Sequence, residues 1–154
     1  MANDYQLIFG NFDEEALAKS WDWLNDLEIK YFTNTSDFDR VSQRDWFEGL
    51  AARDDYYIKT MLVDNTLVGV CGIKNITDTE GEAWLYVGEK LLWGKSIGTQ
   101  CLKYLISYAR QIDLKSLYAL ILKDNTRSLN LFKKFDFIFE SELEDDIVKV
   151  RLGF

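Results

Sequence analysis

Apolar residues along the chain recur at two spacings, and the switches between them mark out the elements. Tyr5 to Phe9 is a short strand-like run. Asp13 to Leu27 has helical spacing, and its acids Asp13, Glu14 and Glu15 suit the positive end of a helix dipole. A second helix is predicted over Ser36 to Ala52. Phe38, Val41, Trp46 and Leu50 supply its apolar side, and Ser36, Asp37 or Asp39 its cap. Tyr56 to Val63 and Leu67 to Ile76 flank Asp64-Asn65-Thr66 as a hairpin, and Asp78 to Gly81 forms a further turn. Glu82 to Val87 then completes a three-stranded antiparallel meander.

After this the pattern changes. Gly94-Lys95-Ser96-Ile97-Gly98-Thr99 is a small-residue loop, and a helix follows to about Ile112. Its Leu102, Leu105, Ile106, Ala109 and Ile112 recur at steps of three and four and share one face. Leu117 to Leu122 is an uninterrupted apolar run, the sign of a strand buried on both faces. Asp124 or Asn125 caps a short helix to about Lys134, and Phe135 to Glu140 with Ile147 to Leu152 form a closing strand pair. The order β-α-α-β-β-β-α-β-α-β-β predicts an α+β fold: a central mixed, mostly antiparallel sheet of six to seven strands flanked by about four helices. No linker, repeat or low-complexity tract interrupts it, so residues 1–154 read as one domain.

Composition narrows the chemistry. With 154 residues, 47% hydrophobic and 15% aromatic, the chain has ample apolar surface for a core. There is no histidine, which excludes Ser-His-Asp and Cys-His mechanisms and His-ligated zinc, and no metal is expected. Cys71 and Cys101 have neither metal-knuckle spacing nor a disulfide framework, which fits a reducing compartment. The N-terminal MANDYQLIFGNFDEE has no basic region leading into an apolar stretch, and no run approaches the roughly 20 apolar residues that span a bilayer. A cytoplasmic protein is expected. The net charge of -8 argues against nucleic acid or an anionic membrane as partner, and mildly favours a cationic one.

The loop at Gly94 to Thr99 is the candidate for chemistry. A strand, a glycine-containing loop and a helix together make an anion site, because free N–H groups at the helix start point into the loop and the dipole adds positive charge. Gly94 and Gly98 allow close backbone approach, and Lys95 adds a full charge. One phosphate-binding pattern, G-x-x-x-x-G-K-[ST], matches at Gly94-Lys95-Ser96 but fails in spacing: Glu89 stands where its first glycine belongs, and Gly88 is one residue too far away.

A wider pattern fits better. The chain resembles the GNAT superfamily of acetyl-CoA-dependent N-acetyltransferases over almost its whole length. The family's pyrophosphate loop reads [RQ]-x-x-G-x-[GA]; here Trp93 takes the place of Arg or Gln, Ser96 replaces a glycine, and Gly98 matches. A second family segment reads Asn-x-x-[AS]-x-x-[LI]-Tyr-x-x-x-Gly-Phe. Here Asn125, Ser128, Leu131 and Phe137 match, while Phe132 replaces the Tyr and Asp136 the Gly. Details near Asn75-Ile76-Thr77 and Glu82 are similar to the RimJ/RimL-like branch and to enzymes that acetylate nucleotide-linked amino sugars, as in pseudaminic acid synthesis.

The resemblance implies acetyl-CoA as co-substrate, lying in a V-shaped gap between the strands at Glu82–Val87 and Leu117–Leu122. It implies cofactor contacts at Tyr86, Val87 and Gly88, at Gly94, Lys95, Ser96, Ile97, Gly98 and Thr99, and at Asn125, Ser128 and Phe132. A substrate amine attacks the thioester directly once a base has removed its proton, and Glu82 is the candidate base. Ser96 suits the loop if its φ is negative and weakens binding if it is positive. Phe132 cannot act as the acid that the family's Tyr supplies. Tyr31, Phe32, Trp46 and Trp84 are candidate faces for the acceptor. The acceptor is expected to be a small-molecule amine, with a nucleotide-linked amino sugar, a polyamine, an amino acid or a protein N-terminus all open. A CoA-binding or interaction module without catalysis is the alternative, and either a monomer or a homodimer is compatible with the sequence.

Overall fold

The computed structural model describes residues 5–154; residues 1–4, the start of the stretch read as free of a leader, lie outside the described residues. The elements are β1 (Leu7–Gly10), α1 (Glu14–Asn25), α2 (Leu27–Phe32), α3 (Arg40–Gly49), β2 (Tyr57–Val63), β3 (Thr66–Lys74), β4 (Glu80–Val87), α4 (Ile97–Gln111), β5 (Ser116–Leu122), α5 (Thr126–Lys134), β6 (Ile138–Leu143) and β7 (Ile147–Gly153). Single 3-10 turns follow α3 at Leu50–Ala52 and β4 at Lys90–Leu92.

Seven strands form one sheet in the order β1-β2-β3-β4-β5-β7-β6. All neighbours are antiparallel except β4 and β5, which run parallel. The mixed, mostly antiparallel α+β architecture read from the sequence is therefore present, with five α-helices in place of about four. The extra helix arises at Asp26. Its extended backbone (φ -69°, ψ 128°) ends α1, and its carboxylate accepts the N–H groups of Glu28 and Ile29 to start α2. An aspartate inside a helical pattern can cap a new helix with no glycine or proline to announce it.

Three boundaries move for similar reasons. The helix expected from Ser36 begins at Arg40, because Asp39 and Ser42 form a reciprocal capping box. The strand expected from Glu82 begins at Glu80, and Gly81 is a strand residue rather than part of a turn; a Cβ there would lie 2.6 Å from Ile73 Cγ2. The strand expected from Phe135 begins at Ile138. Phe135 instead ends α5, and Asp136 follows at φ 70°.

Two apolar clusters lie on opposite faces of the sheet. One joins the buried side of α4 (Ile97, Cys101, Leu102, Leu105 and Ala109) to Ile73, Ala83, Leu117 and Phe132. The other joins Ala16 and Trp23 of α1 and Ile29 of α2 to Val70 of β3, with Trp84 and Tyr86 of β4 packed against it. Strand alternation accounts for the division, since Ala83 faces α4 while Trp84 and Tyr86 face α1.

One break in the sheet creates the cavity. β4 and β5 pair only at Glu80–Ser116, Gly81–Leu117 and Glu82–Tyr118. Beyond Glu82, β4 stays with β3 as far as Val87, and β5 stays with β7 as far as Leu122. The two parallel strands therefore splay apart, and Glu82 sits at the fork.

Candidate active site

A cavity of about 880 Å³ passes through this gap. At one end it is walled by the loop before α4 and by α5, and at the other by aromatic side chains from α2, α3 and the β2–β4 face.

The first end is built largely from backbone. Gly88 N–H donates to Val68 C=O at 2.8 Å, and Tyr86 pairs with Val70 in the same ladder. Hydrogen-bonded pairs alternate along an antiparallel ladder, so Gly88, Tyr86 and Trp84 turn their amides toward β3, while Val87, Leu85 and Ala83 turn theirs into the gap. The indole N–H of Trp93 donates to Val87 C=O at 2.7 Å. Gly88 has a packing role instead: a Cβ there would come within 2.0 Å of the Trp23 ring.

The loop then turns sharply. Gly94 has φ 78°, and Ser96 has φ 62° and ψ 11°, the left-handed region that favours glycine. No side chain caps α4, which leaves the N–H groups of Ile97, Gly98 and Thr99 without helical partners on the cavity wall. Gly98 lets α4 approach α5 closely, since a Cβ would sit 3.0 Å from Leu131 Cδ2. Two cations flank this opening. The Arg127 guanidinium lies 4.4 Å from the Trp93 ring centroid, and Lys134 donates to Thr99 Oγ1 at 2.9 Å. Lys95 belongs to the loop but is not part of the cavity wall.

On α5, Asn125 accepts the Ser128 N–H at 3.3 Å and so caps the helix, and both residues line the cavity. Phe132 is buried edge-on against Phe137, with ring centroids 4.9 Å apart, and contributes shape but no proton.

The second end is built from side chains. Phe32, Trp46 and Trp84 line it, and Tyr56 lies between the two Trp rings at centroid distances of 6.1 and 6.3 Å. Burial above all pushes the Tyr56 hydroxyl up to about 12, with the Glu82 charge adding to the rise, so the hydroxyl stays protonated at neutral pH. Burial also raises Tyr86. Tyr31 stands apart. It is exposed, donates to Asp124 Oδ2 at 2.5 Å, and lines a different hollow beside Asp145 and Asp146.

Glu82 is only 8% exposed. One of its oxygens accepts from Asn75 Nδ2 at 3.2 Å, and the other lies 3.9 Å from Lys74 Nζ. Lys74 is the direct cross-strand partner of Glu82 and lines the cavity, whereas Glu82 stands behind it rather than in the wall. Sequence reasoning missed Lys74 and Tyr56. Lys74 was within reach of the pattern, because counting back across the β3–β4 turn sets it opposite Glu82. Tyr56 was not, since its place depends on how α3 packs.

The family model for the acetyltransferase (GNAT) domain matches residues 6–138. The chain belongs to the GNAT acetyltransferase family. Acetyltransferase PseH of Campylobacter jejuni is 24% identical over 138 residues, which cover 89% of this chain and 86% of PseH. An uncharacterized protein of Methanocaldococcus jannaschii is 30% identical over 94 residues; the match takes in 60% of this chain but only 19% of that relative's length. Among solved structures, a domain from M. jannaschii superposes with a TM-score of 0.87 at 22% identity, covering 98% of this chain and 100% of the other. The spermidine N-acetyltransferase of Vibrio cholerae, in complex with CoA and spermine, gives 0.86 at 12% identity, covering 96% and 95%.

The residues present in this acetyltransferase domain fit the family's co-substrate, acetyl-CoA. An uncapped helix start flanked by Arg127 and Lys134 suits a pyrophosphate. The backbone groups of Leu85 and the N–H of Val87 suit the amides of a pantetheine arm, as the next rungs of an interrupted ladder.

Proposed function

We propose that residues 1–154 form one acetyltransferase domain that moves the acetyl group of acetyl-CoA directly to a primary amine of a small molecule, with Glu82 as general base. The favoured acceptor is a neutral or anionic molecule with flat apolar faces, and a nucleotide-linked amino sugar has that chemistry. The observation that carries this reading is the acceptor end of the cavity. It is walled by Phe32, Trp46, Tyr56 and Trp84, and the nearest buried carboxylate, Glu82, already has the Lys74 ammonium beside it. A polycation gains most from unpaired acids, and Asp37 is the acid on this wall, ion-paired to Lys30.

An amine is protonated at neutral pH and attacks only after losing a proton. Glu82 takes that proton across the Lys74 side of the cavity, directly or through one water. The CoA thiolate is a moderate leaving group, since thiols titrate near 8.5, so Phe132 in place of an acid slows its departure without forbidding it. The splayed strands support the donor half of this reading by leaving β4 backbone unpaired where a pantetheine arm runs in the family.

A second acceptor class has one observation in its favour. The net charge of -8 attracts cations, so polyamines belong in the test. The experiment is thiol release from acetyl-CoA with a UDP-linked amino sugar and with spermidine, each at several concentrations. The proposal expects a higher kcat/KM for the sugar nucleotide. A higher value for spermidine overturns the acceptor class. Acetyl-CoA binding without thiol release on any amine overturns catalysis and leaves a CoA-binding module.

A further inference from the structure

Glu82 stands at the fork with each of its two oxygens engaged differently. One accepts from Asn75 Nδ2 at 3.2 Å, and the other faces Lys74, which lines the cavity. Asn75 is one of nine non-glycine residues with a positive φ among the described residues. It closes β3 with φ 52°, a left-handed conformation that asparagine tolerates better than most side chains. That twist turns its amide toward β4 rather than along the strand, and residues held in such conformations cluster at sites where geometry matters.

We infer that Asn75 is a positioning residue for the proton-transfer step. It holds one Glu82 oxygen and so keeps the other turned toward Lys74, the residue between Glu82 and the cavity. The inference rests on Glu82 as base. In that step an N–H bond of the acceptor ammonium breaks, its electron pair stays on nitrogen, and the proton bonds to the Glu82 oxygen that faces Lys74. A carboxylate free to rotate divides its time among orientations, and most of them do not reach the amine. A hydrogen bond from a neutral amide fixes the orientation.

The surroundings of Glu82 make this an assignment to Asn75 in particular. Lys74 faces it from β3, Tyr56 from the segment before β2, and Tyr118 from β5, where it is the last register partner. Glu80 lies two residues away on β4 and is tied to Arg151 of β7 at 2.8 Å. The Tyr118 hydroxyl is raised, chiefly by burial and then by the charges of Glu82 and Glu80, so it stays protonated. Among the described residues, Lys74 is the cation that pairs with Glu82, and at 3.9 Å it attracts without a directed bond. Asn75 is the only side chain among the described residues with a hydrogen bond to the carboxylate.

The test compares two small amines that need no specific acceptor contacts in a cavity of this size. Ethanolamine is protonated at neutral pH and needs a base before it can attack. Hydroxylamine is already unprotonated, attacks without one and passes its surplus proton to the departing thiolate or to water, and its uncatalysed reaction with the thioester is subtracted. Acetyl transfer to each is followed across pH for the wild-type chain and for Glu82→Gln, Asn75→Gly and Asn75→Asp. Glycine is at ease at φ 52°, so Asn75→Gly removes the amide without strain. Asn75→Asp sets a second carboxylate beside the first, which favours proton binding by the pair.

The expected result is that Glu82→Gln and both Asn75 variants slow ethanolamine and leave hydroxylamine within about twofold. Asn75→Gly should cost about fivefold in kcat/KM for ethanolamine, the worth of one such hydrogen bond. Asn75→Asp should also move the acid limb of that profile to higher pH. If Glu82→Gln slows ethanolamine but neither Asn75 variant does, the inference falls and the base stands. If the Asn75 variants slow both amines equally, Asn75 is merely structural and the inference falls. If Glu82→Gln leaves ethanolamine untouched, the base reading fails and takes this inference with it. Absence of transfer to either amine by the wild-type chain overturns acetyl transfer itself.

Discussion

The two ends of the cavity are made of different material. The donor end consists of backbone: the unpaired inner edge of β4, the turn at Gly94 and Ser96, and the uncapped start of α4. The end we assign to the acceptor consists of side chains from distant segments, with Phe32 from α2, Trp46 from α3, Tyr56 ahead of β2 and Trp84 from β4. A backbone site tolerates side-chain change, because any residue but proline supplies the same N–H. A side-chain site changes its ligand with each substitution. The donor end is therefore the part a family can share, and the acceptor end the part in which members differ.

That contrast can be broken at its hinge. Glu82 links the two ends: it lies on β4, and it is the base we propose for the acceptor amine. Glu82→Gln keeps the shape and removes the proton acceptor. We expect kcat for a protonated amine to fall about 100- to 1,000-fold, a usual yield of general base catalysis, while acetyl-CoA affinity changes less than about twofold. Steady-state rates alongside calorimetric titration measure both. A matching loss of acetyl-CoA affinity would mean that the two ends are not separable at β4.

Gly98 probes the donor end alone. Gly98→Ala adds a methyl that presses on the tip of Leu131 at 3.0 Å and touches Leu85 Cδ1 at an ordinary 3.8 Å, so affinity for acetyl-CoA should fall less than about threefold. Gly98→Asp adds a charge where a pyrophosphate meets the helix start, and a weakening of about 30-fold, or about 2 kcal/mol, is expected. The acceptor KM should not move in either variant. Equal effects of Ala and Asp would make Gly98 a packing residue and remove the anion from this loop.

The same division explains what could be read from the sequence. The sheet, its strand order in sequence and the loop-helix unit at Gly94 to Gln111 were legible because each rests on a local period or a short-range rule. The break at Asp26 was not, since a capping aspartate and a helical surface aspartate look alike until the next turn is placed. Among the aromatics expected to face the acceptor, Phe32, Trp46 and Trp84 reach the cavity while Tyr31, next to Phe32 in sequence, turns outward to Asp124. Composition marked these residues as apolar faces, but only the packing of α2 and α3 decides which of them turn inward. At β4, alternation sets Trp84 and Tyr86 on the α1 face, yet it is the ladder that turns the amides of Leu85 and Val87, rather than those of Tyr86 and Gly88, into the gap.

The smallest expected effect concerns two positions where the family pattern has glycine and this chain does not. Ser96 has φ 62° and Asp136 has φ 70°, so the chain keeps the glycine-like backbone while carrying a side chain. A left-handed L-residue costs about 1–2 kcal/mol, and glycine returns roughly half of that through the entropy of the unfolded chain. Ser96→Gly should therefore stabilise by about 0.5–1 kcal/mol and raise Tm by roughly 2 °C, read by thermal melts. Asp136→Gly should gain less, because aspartate accepts this conformation more readily than serine does. The two should part over the ligand. Ser96 ends in the free N–H groups of α4, so relieving its strain should tighten acetyl-CoA by a factor of about two. Asp136 follows the end of α5, away from the start of α4, and should leave affinity unchanged. Equal gains in affinity would trace the effect to global stability; a gain at Ser96 alone would tie the cost of its side chain to the donor end, where backbone conformation is the binding element.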